Sequence, residues 1–179
     1  AGVLSAEDLV KVARKRGELM RDAAASAPGS MTAVSATIEK LQPLLAQWGL
    51  DVVVANHNNP EQVVLSGTTD AIAAVEGKLE EAGLTAKRLN VATAFHSKIV
   101  ASSTVPFGGF LADVSFGAPS CDVYANATAA PYPAEAGAMR AMLAEQIASP
   151  VRFVEQIEAM YARGVRTFVE VGPGSVLTG

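Results

Sequence analysis

The stretch MTAVSATIEKLQPLLAQWGLDVVVANHNNPEQVVLSGTTDAIAAVEGKLEEAGLTAKRLNVATA, residues 31–94, decides the fold. MTAVSA, DVVVAN, QVVLSG and TAKRLNVATA are short runs rich in β-branched residues and predict strands. IEKLQPLLAQWG and TDAIAAVEGKLEEAG repeat their apolar residues every three or four positions and predict helices, the second closed by Gly83. The order strand, helix, strand, strand, helix, strand is that of a split β-α-β, ferredoxin-like unit. Pro43 is expected in the first turn or so of its helix, where a missing N–H leaves no bond unmade.

Working outward, Ser5-Ala6-Glu7-Asp8 reads as a helix start with Ser5 as N-cap. That helix is expected to run to about Ala23 with Leu9, Val10, Ala13, Gly17 and Met20 on one face. Beyond His96 the pattern becomes helix-rich α/β. A weakly helical stretch holding Pro106, Gly108 and Gly109 leads to a strand, CDVYAN, and then to helices in AEAGAMRAMLAEQIA and PVRFVEQIEAMYARG. The last helix is expected to begin at Pro150 and end at Gly164, and a strand TFVEV then runs into Gly172-Pro173-Gly174. The expected division is therefore 1–30, 31–94 and 95–179, with the ferredoxin-like unit interrupting a larger α/β body whose other strands lie outside the chain or are absent.

Half of the 179 residues are apolar, enough for a sizeable core. A net charge of -4 with scattered Lys and Arg offers no stripe to neutralise phosphates, so no nucleic acid is expected as partner. No apolar run is long enough to span a membrane, and no basic region followed by an apolar one opens the chain. A soluble, cytoplasmic protein is expected. Cys121 is the only cysteine, which excludes an internal disulfide and a cysteine metal cage; a buried structural thiol is expected. His57 and His96 are the only histidines, and neither has a carboxylate at ligand spacing, so no metal is expected.

Several residues can be read in two ways. His96 directly follows a predicted strand, a place that holds a side chain rigidly, although a histidine in an apolar sequence is commonly structural. Ser97 does not suit it as a nucleophile, because neighbours at a strand end point in different directions. Asn56-His57-Asn58-Asn59-Pro60 is either a turn stabilised by Asn side chains or a ligand contact. Gly172-Pro173-Gly174-Ser175 lacks the lysine of a phosphate-binding loop and reads as a tight turn. Arg14 and Arg16 are either solvated or, if turned into a cleft, suited to grip a carboxylate in bidentate fashion.

AGVLSAED, KRGELM, ANHNNPEQVVLSG, TAFHS, LAEQIASPVRF and GVRTFVEVGPGSVLTG follow one another over nearly the whole chain. As an ordered set they resemble the acyltransferase domains of type I polyketide synthases, polyunsaturated fatty acid synthases and the related malonyl-CoA:acyl carrier protein transacylases. The resemblance implies an α/β-hydrolase-like large subdomain, present in part, with an inserted ferredoxin-like small subdomain. It also implies a ping-pong transfer of malonyl from CoA to the phosphopantetheine thiol of an acyl carrier protein through an acyl-serine. His96 would be the general base and acid, with the main-chain carbonyl of Gln146 holding its imidazole. Arg16 would bind the free carboxylate of malonyl, and Asn56, Asn58 and Gln62 match polar positions near the cleft.

The tetrad Thr93-Ala94-Phe95-His96 resembles the malonyl-selective form of the family's specificity motif, with Phe95 crowding out an α-methyl branch; Thr93 departs from the commoner histidine. The family's G-H-S-x-G nucleophile lies upstream of AGVLS, so the serine is expected in a segment outside this chain, and the chain alone is expected to be inactive. The implied partners are malonyl-CoA, an acyl carrier protein and that upstream segment. No cofactor is implied beyond the CoA and phosphopantetheine that the substrates carry. Lys87, Arg88 and Lys98 are the cations expected to meet an acidic carrier. The alternatives are a catalytically inactive docking module of a synthase and a ferredoxin-like sensor of small ligands.

Overall fold

The computed structural model describes residues 1–91, 93–172, 174–175 and 177–178. Helix α1 (Ala6–Ser26) is followed by β1 (Gly29–Val34), α2 (Ile38–Trp48), β2 (Val52–Asn59), β3 (Gln62–Thr68), α3 (Thr69–Glu81) and β4 (Ala86–Arg88). A 3-10 helix (Lys98–Ser103) continues into α4 (Thr104–Ala112), and a small ribbon of β5 (Tyr124–Ala125) and β6 (Ala130–Pro131) precedes α5 (Ala136–Glu145) and α6 (Phe153–Ala162). Ser5, Thr37 and Thr68 cap α1, α2 and α3, each hydroxyl accepting a main-chain N–H of the first turn. Helix α2 ends on Gly49, whose φ of 61° is a left-handed conformation that costs glycine little.

The β1–β4 strands form one antiparallel sheet in the order β2-β3-β1-β4. Val34, Leu41, Val63, Leu65, Ile72, Val75 and Leu79 are fully buried between the sheet and the helices α2 and α3. Met31, Ala55 and Val64 form a second cluster, against which Phe95 packs. With apolar clusters on both its faces, β3 reads as the continuous run VVLSG rather than an alternation. A third cluster, Val12, Ala23, Val100, Phe107, Leu111, Val114, Ala144 and Ile147, joins α1, the 3-10 helix, α4 and α5.

Several expectations need correction. Pro43 lies in the second turn of α2, not the first, on the exposed side where the carbonyl its missing N–H leaves unpaired is open to water. Strand β4 stops at Arg88 rather than Ala94; Leu89 donates one further bond to the Met31 carbonyl, and the chain then leaves the sheet towards His96. On α1, Leu9 and Val10 are 57% and 67% exposed, and the helix is buried through Val12 and Ala23, with Leu19 and Met20 packed alongside. It runs three residues beyond the expected end, to Ser26.

Cys121 is exposed, because the strand expected around it shrinks to Tyr124–Ala125. Helix α6 begins at Phe153 and not Pro150, since Val151 is held against β2: its N–H donates to Ala55 and its carbonyl accepts from His57. TFVEV, residues 167–171, is not a strand. An extended chain becomes a strand where a neighbouring strand takes up its N–H and C=O groups, and no strand pairs with it among the described residues. Its Phe168, Val169 and Val171 are exposed. The turn that follows is drawn together by the Glu170 carboxylate, which accepts from the main-chain N–H of Leu177 and Thr178; Pro173 lies outside the described residues. No described helix is long and apolar enough to cross a membrane.

Candidate active site

The loop that leaves β4 is pinned to the sheet before it delivers His96. Ser66, buried in β3, donates to the Phe95 carbonyl at 2.7 Å, and Thr93 donates to Ala27 at 3.3 Å. Gly29 lets the loop lie directly on β1, because a Cβ there would fall 2.6 Å from the Ala94 Cβ and 2.7 Å from its nitrogen. Ser97 donates to the Ala94 carbonyl at 2.6 Å and accepts from Ile99, capping the 3-10 helix. Its hydroxyl is buried and committed, so Ser97 is not poised as the partner of His96.

His96 has a φ of 57°. A left-handed conformation costs a residue with a Cβ about 1–2 kcal/mol, and such strain persists where the surroundings enforce it. Here the enforcing contact is Nδ1 to the Ser149 main-chain oxygen, 2.9 Å. A carbonyl only accepts, so Nδ1 carries the proton and Nε2 is left as the basic nitrogen. The expectation gave this role to the Gln146 carbonyl. The closest acceptor is instead Ser149, and the Gln146 main chain acts more weakly in the same direction. Ser149 is fixed twice over: its hydroxyl and N–H bond back to the end of α5, and Val151 is bridged to Asn56 of β2.

The Gln146 side chain, also buried, has a role the expectation missed. Its Oε1 accepts from Arg16 Nη2 at 2.8 Å, while its Nε2 lies 3.5 Å from His96 Nδ1. Three residues from α1, the 93–97 loop and the end of α5 thus form one connected row. Burial pushes the His96 imidazole below its ordinary value of 6.5; the neighbouring Arg16 charge adds to this, and the Ser149 and Gln146 carbonyls oppose it. Arg16 is itself lowered by burial, with the Tyr132 phenol working against that. Tyr132 is in turn raised by burial, and Arg16 opposes the rise.

Phe95, half-buried, packs against both the Met31 cluster and the Phe107 cluster, beside the imidazole in sequence. Among the described residues, Asn56 reaches the site through its main-chain bridge to Val151. Asn58 and Gln62 stand on the β2–β3 hairpin, Asn58 half-buried and Gln62 exposed, and neither belongs to the Arg16–Gln146–His96 row. Arg14 pairs with Glu18 on the solvent side of α1, which leaves Arg16 as the arginine turned inward. Ser149 and Tyr132 escaped sequence reasoning: a main-chain acceptor has no side-chain signature, and Tyr132 falls outside every motif. No group of His, Cys, Asp or Glu able to hold a metal occurs among the described residues.

An imidazole oriented by a carbonyl, beside an inward guanidinium, places a base and a cation able to grip a carboxylate in one row. The chain belongs to the acyl transferase domain family, whose match covers residues 1–179. It is 39% identical over 183 residues to the polyketide biosynthesis protein ThaF of Burkholderia thailandensis, covering 99% of this chain and 15% of that protein. Against the malonyl CoA-acyl carrier protein transacylase of Bacillus subtilis it is 34% identical over 186 residues, covering all of this chain and 58% of the relative. The crystal structure of malonyl CoA-acyl carrier protein transacylase from Burkholderia pseudomallei superposes with a TM-score of 0.89 at 36% identity, over 99% of this chain and 62% of that one. The chain thus spans less than two thirds of these relatives.

Proposed function

We propose that this chain is part of a domain that moves a malonyl group from CoA to the phosphopantetheine thiol of an acyl carrier protein. The observation that carries the reading is the row Arg16–Gln146–His96, which sets a carboxylate-binding cation beside an oriented base. The names of the transacylase relatives support the choice of malonyl-CoA and carrier protein. The sheet order β2-β3-β1-β4, with both helices on one face, supports a ferredoxin-like subdomain over residues 31–94. Residues 1–30 and 95–179 are then parts of an α/β-hydrolase-like subdomain.

In this reading His96 Nε2 takes the proton of a serine supplied from outside residues 1–179 as that serine attacks the malonyl thioester. The proton passes to the departing CoA sulfur, and a malonyl-serine ester remains. The carrier's thiol then gives its proton to His96 and attacks the ester, and His96 hands that proton to the departing serine oxygen, which restores both residues. Arg16 grips the free carboxylate throughout, and Phe95 disfavours an α-methyl branch, a preference worth about 1–3 kcal/mol by packing alone. Without the serine the 179 residues load no acyl group. Of the cations proposed to meet the carrier, Arg88 is engaged by Glu76, while Lys87 and Lys98 are exposed on β4 and the 3-10 helix.

The test is intact-mass measurement of the domain with its upstream sequence after incubation with malonyl-CoA, methylmalonyl-CoA or acetyl-CoA. One malonyl mass, lost in His96→Ala and sharply reduced in Arg16→Ala, is expected. Equal loading from acetyl-CoA, or undiminished malonyl loading in Arg16→Ala, contradicts the carboxylate grip. A malonyl mass on the 179-residue chain itself contradicts the external serine.

A further inference from the structure

We propose that the Gln146 side-chain amide is a positioning residue that ties Arg16 to His96, so that a carboxylate docking on Arg16 is felt at the imidazole. The inference rests on Arg16 being the carboxylate site. The orientation of the amide follows from its neighbours. A guanidinium only donates, so the atom 2.8 Å from Arg16 Nη2 is Oε1, and Nε2 is thereby turned to His96. Nδ1–H already donates to Ser149, and two donors 3.5 Å apart are in contact rather than hydrogen-bonded. The positive end of the amide dipole and the Arg16 charge therefore both face the imidazole.

Gln146 occupies one guanidinium arm and leaves the others for a ligand. The groups that bear on His96 are Arg16 from α1 and the Ser149 and Gln146 carbonyls after α5; Tyr132 in turn interacts electrostatically with Arg16. A carboxylate bound to Arg16 offsets the one full charge among them that disfavours imidazolium. The base thus gains proton affinity when a dicarboxylic acyl group is in place and not when an uncharged one is. This adds discrimination at the reacting end to that supplied by binding.

The test is an NMR titration of the His96 ring nitrogens with and without malonate, at ionic strength matched with sodium chloride, in the wild type, Arg16→Gln and Gln146→Met. Malonate is expected to raise the His96 titration midpoint in the wild type. In Arg16→Gln the midpoint is expected to be raised already and to ignore malonate. Gln146→Met keeps the main-chain carbonyl and the side-chain length, and its response to malonate is expected to shrink. The wild-type titration decides the matter even if a variant does not fold. Saturable movement of the Arg16 Nε resonance with the His96 midpoint unmoved overturns the coupling alone. A wild-type response in Gln146→Met overturns the role of the amide. No saturable response at either residue overturns both the coupling and the carboxylate site on which it rests.

Discussion

The sheet region, residues 29–88, and the segment 165–172 are both rich in Val and Leu or Phe, yet they end in opposite states. In the first, Val34, Val63, Leu65 and Val75 are wholly buried; in the second, Val169 and Val171 are 77% and 92% exposed. The residue types do not differ enough to explain this. What differs is that every strand of the sheet has its pairing partner and its covering helices within 60 residues, while no strand pairs with TFVEV among the described residues. A β pattern therefore states an affinity for a partner, and burial follows only where the partner is at hand.

The largest expected effect comes from testing that difference directly. Leu65→Ala empties a site at 0% exposure and should cost about 2–5 kcal/mol of unfolding free energy, read from urea denaturation. Val169→Ala should stay within about 0.5 kcal/mol of the wild type in the same measurement. Equal costs would mean that the terminal segment is packed after all.

Next in size is the seam between the sheet and the site. Gly29→Ala drives a methyl into Ala94 and should cost about 1–3 kcal/mol by overpacking. Because Ala94 is two residues from His96, the ring resonances of His96 should move as well, which a purely local cost in β1 does not require.

A smaller, pH-dependent effect belongs to His96. Its imidazole is held below 6.5 in the folded protein and regains that value on unfolding, so the unfolded chain binds more protons once the pH falls below about 6.5. Stability should decline from there towards the folded value and level off beneath it. The difference between the wild type and His96→Asn, followed by denaturation at a series of pH values, should isolate this slope; identical profiles would contradict it. Least of all should matter the surface pair Glu76–Arg88: Glu76→Gln should cost at most about 1 kcal/mol, and less in high salt.

Within this frame, the elements that sequence reasoning placed well are those whose cause is local. Helices α2 and α3 carry their caps and period in their own residues, and the β2–β3 hairpin joins adjacent runs. Strand β4 was read too long because the chain must leave the sheet at Arg88 to deliver His96, a demand that LNVATA does not display. The start of α6 was misplaced for a related reason, since Val151 is drawn into a bridge with Asn56, far away in sequence. At the candidate site, the motifs singled out His96, Arg16 and Gln146, which the structure brings together, but gave no sign of the Gln146 side-chain contacts. The carbonyl of Ser149 was not, because its identity as acceptor depends on where the chain turns after α5 and not on its side chain. Tyr132 was silent for want of a motif.

The most direct test of the site as described is the tautomer of His96, read from the 15N chemical shifts and long-range couplings of its ring at neutral pH. The geometry at Ser149 predicts a neutral ring protonated at Nδ1, with Nε2 bare and able to accept a proton. A ring protonated at Nε2, or a doubly protonated ring, would contradict the assignment of His96 as an oriented base.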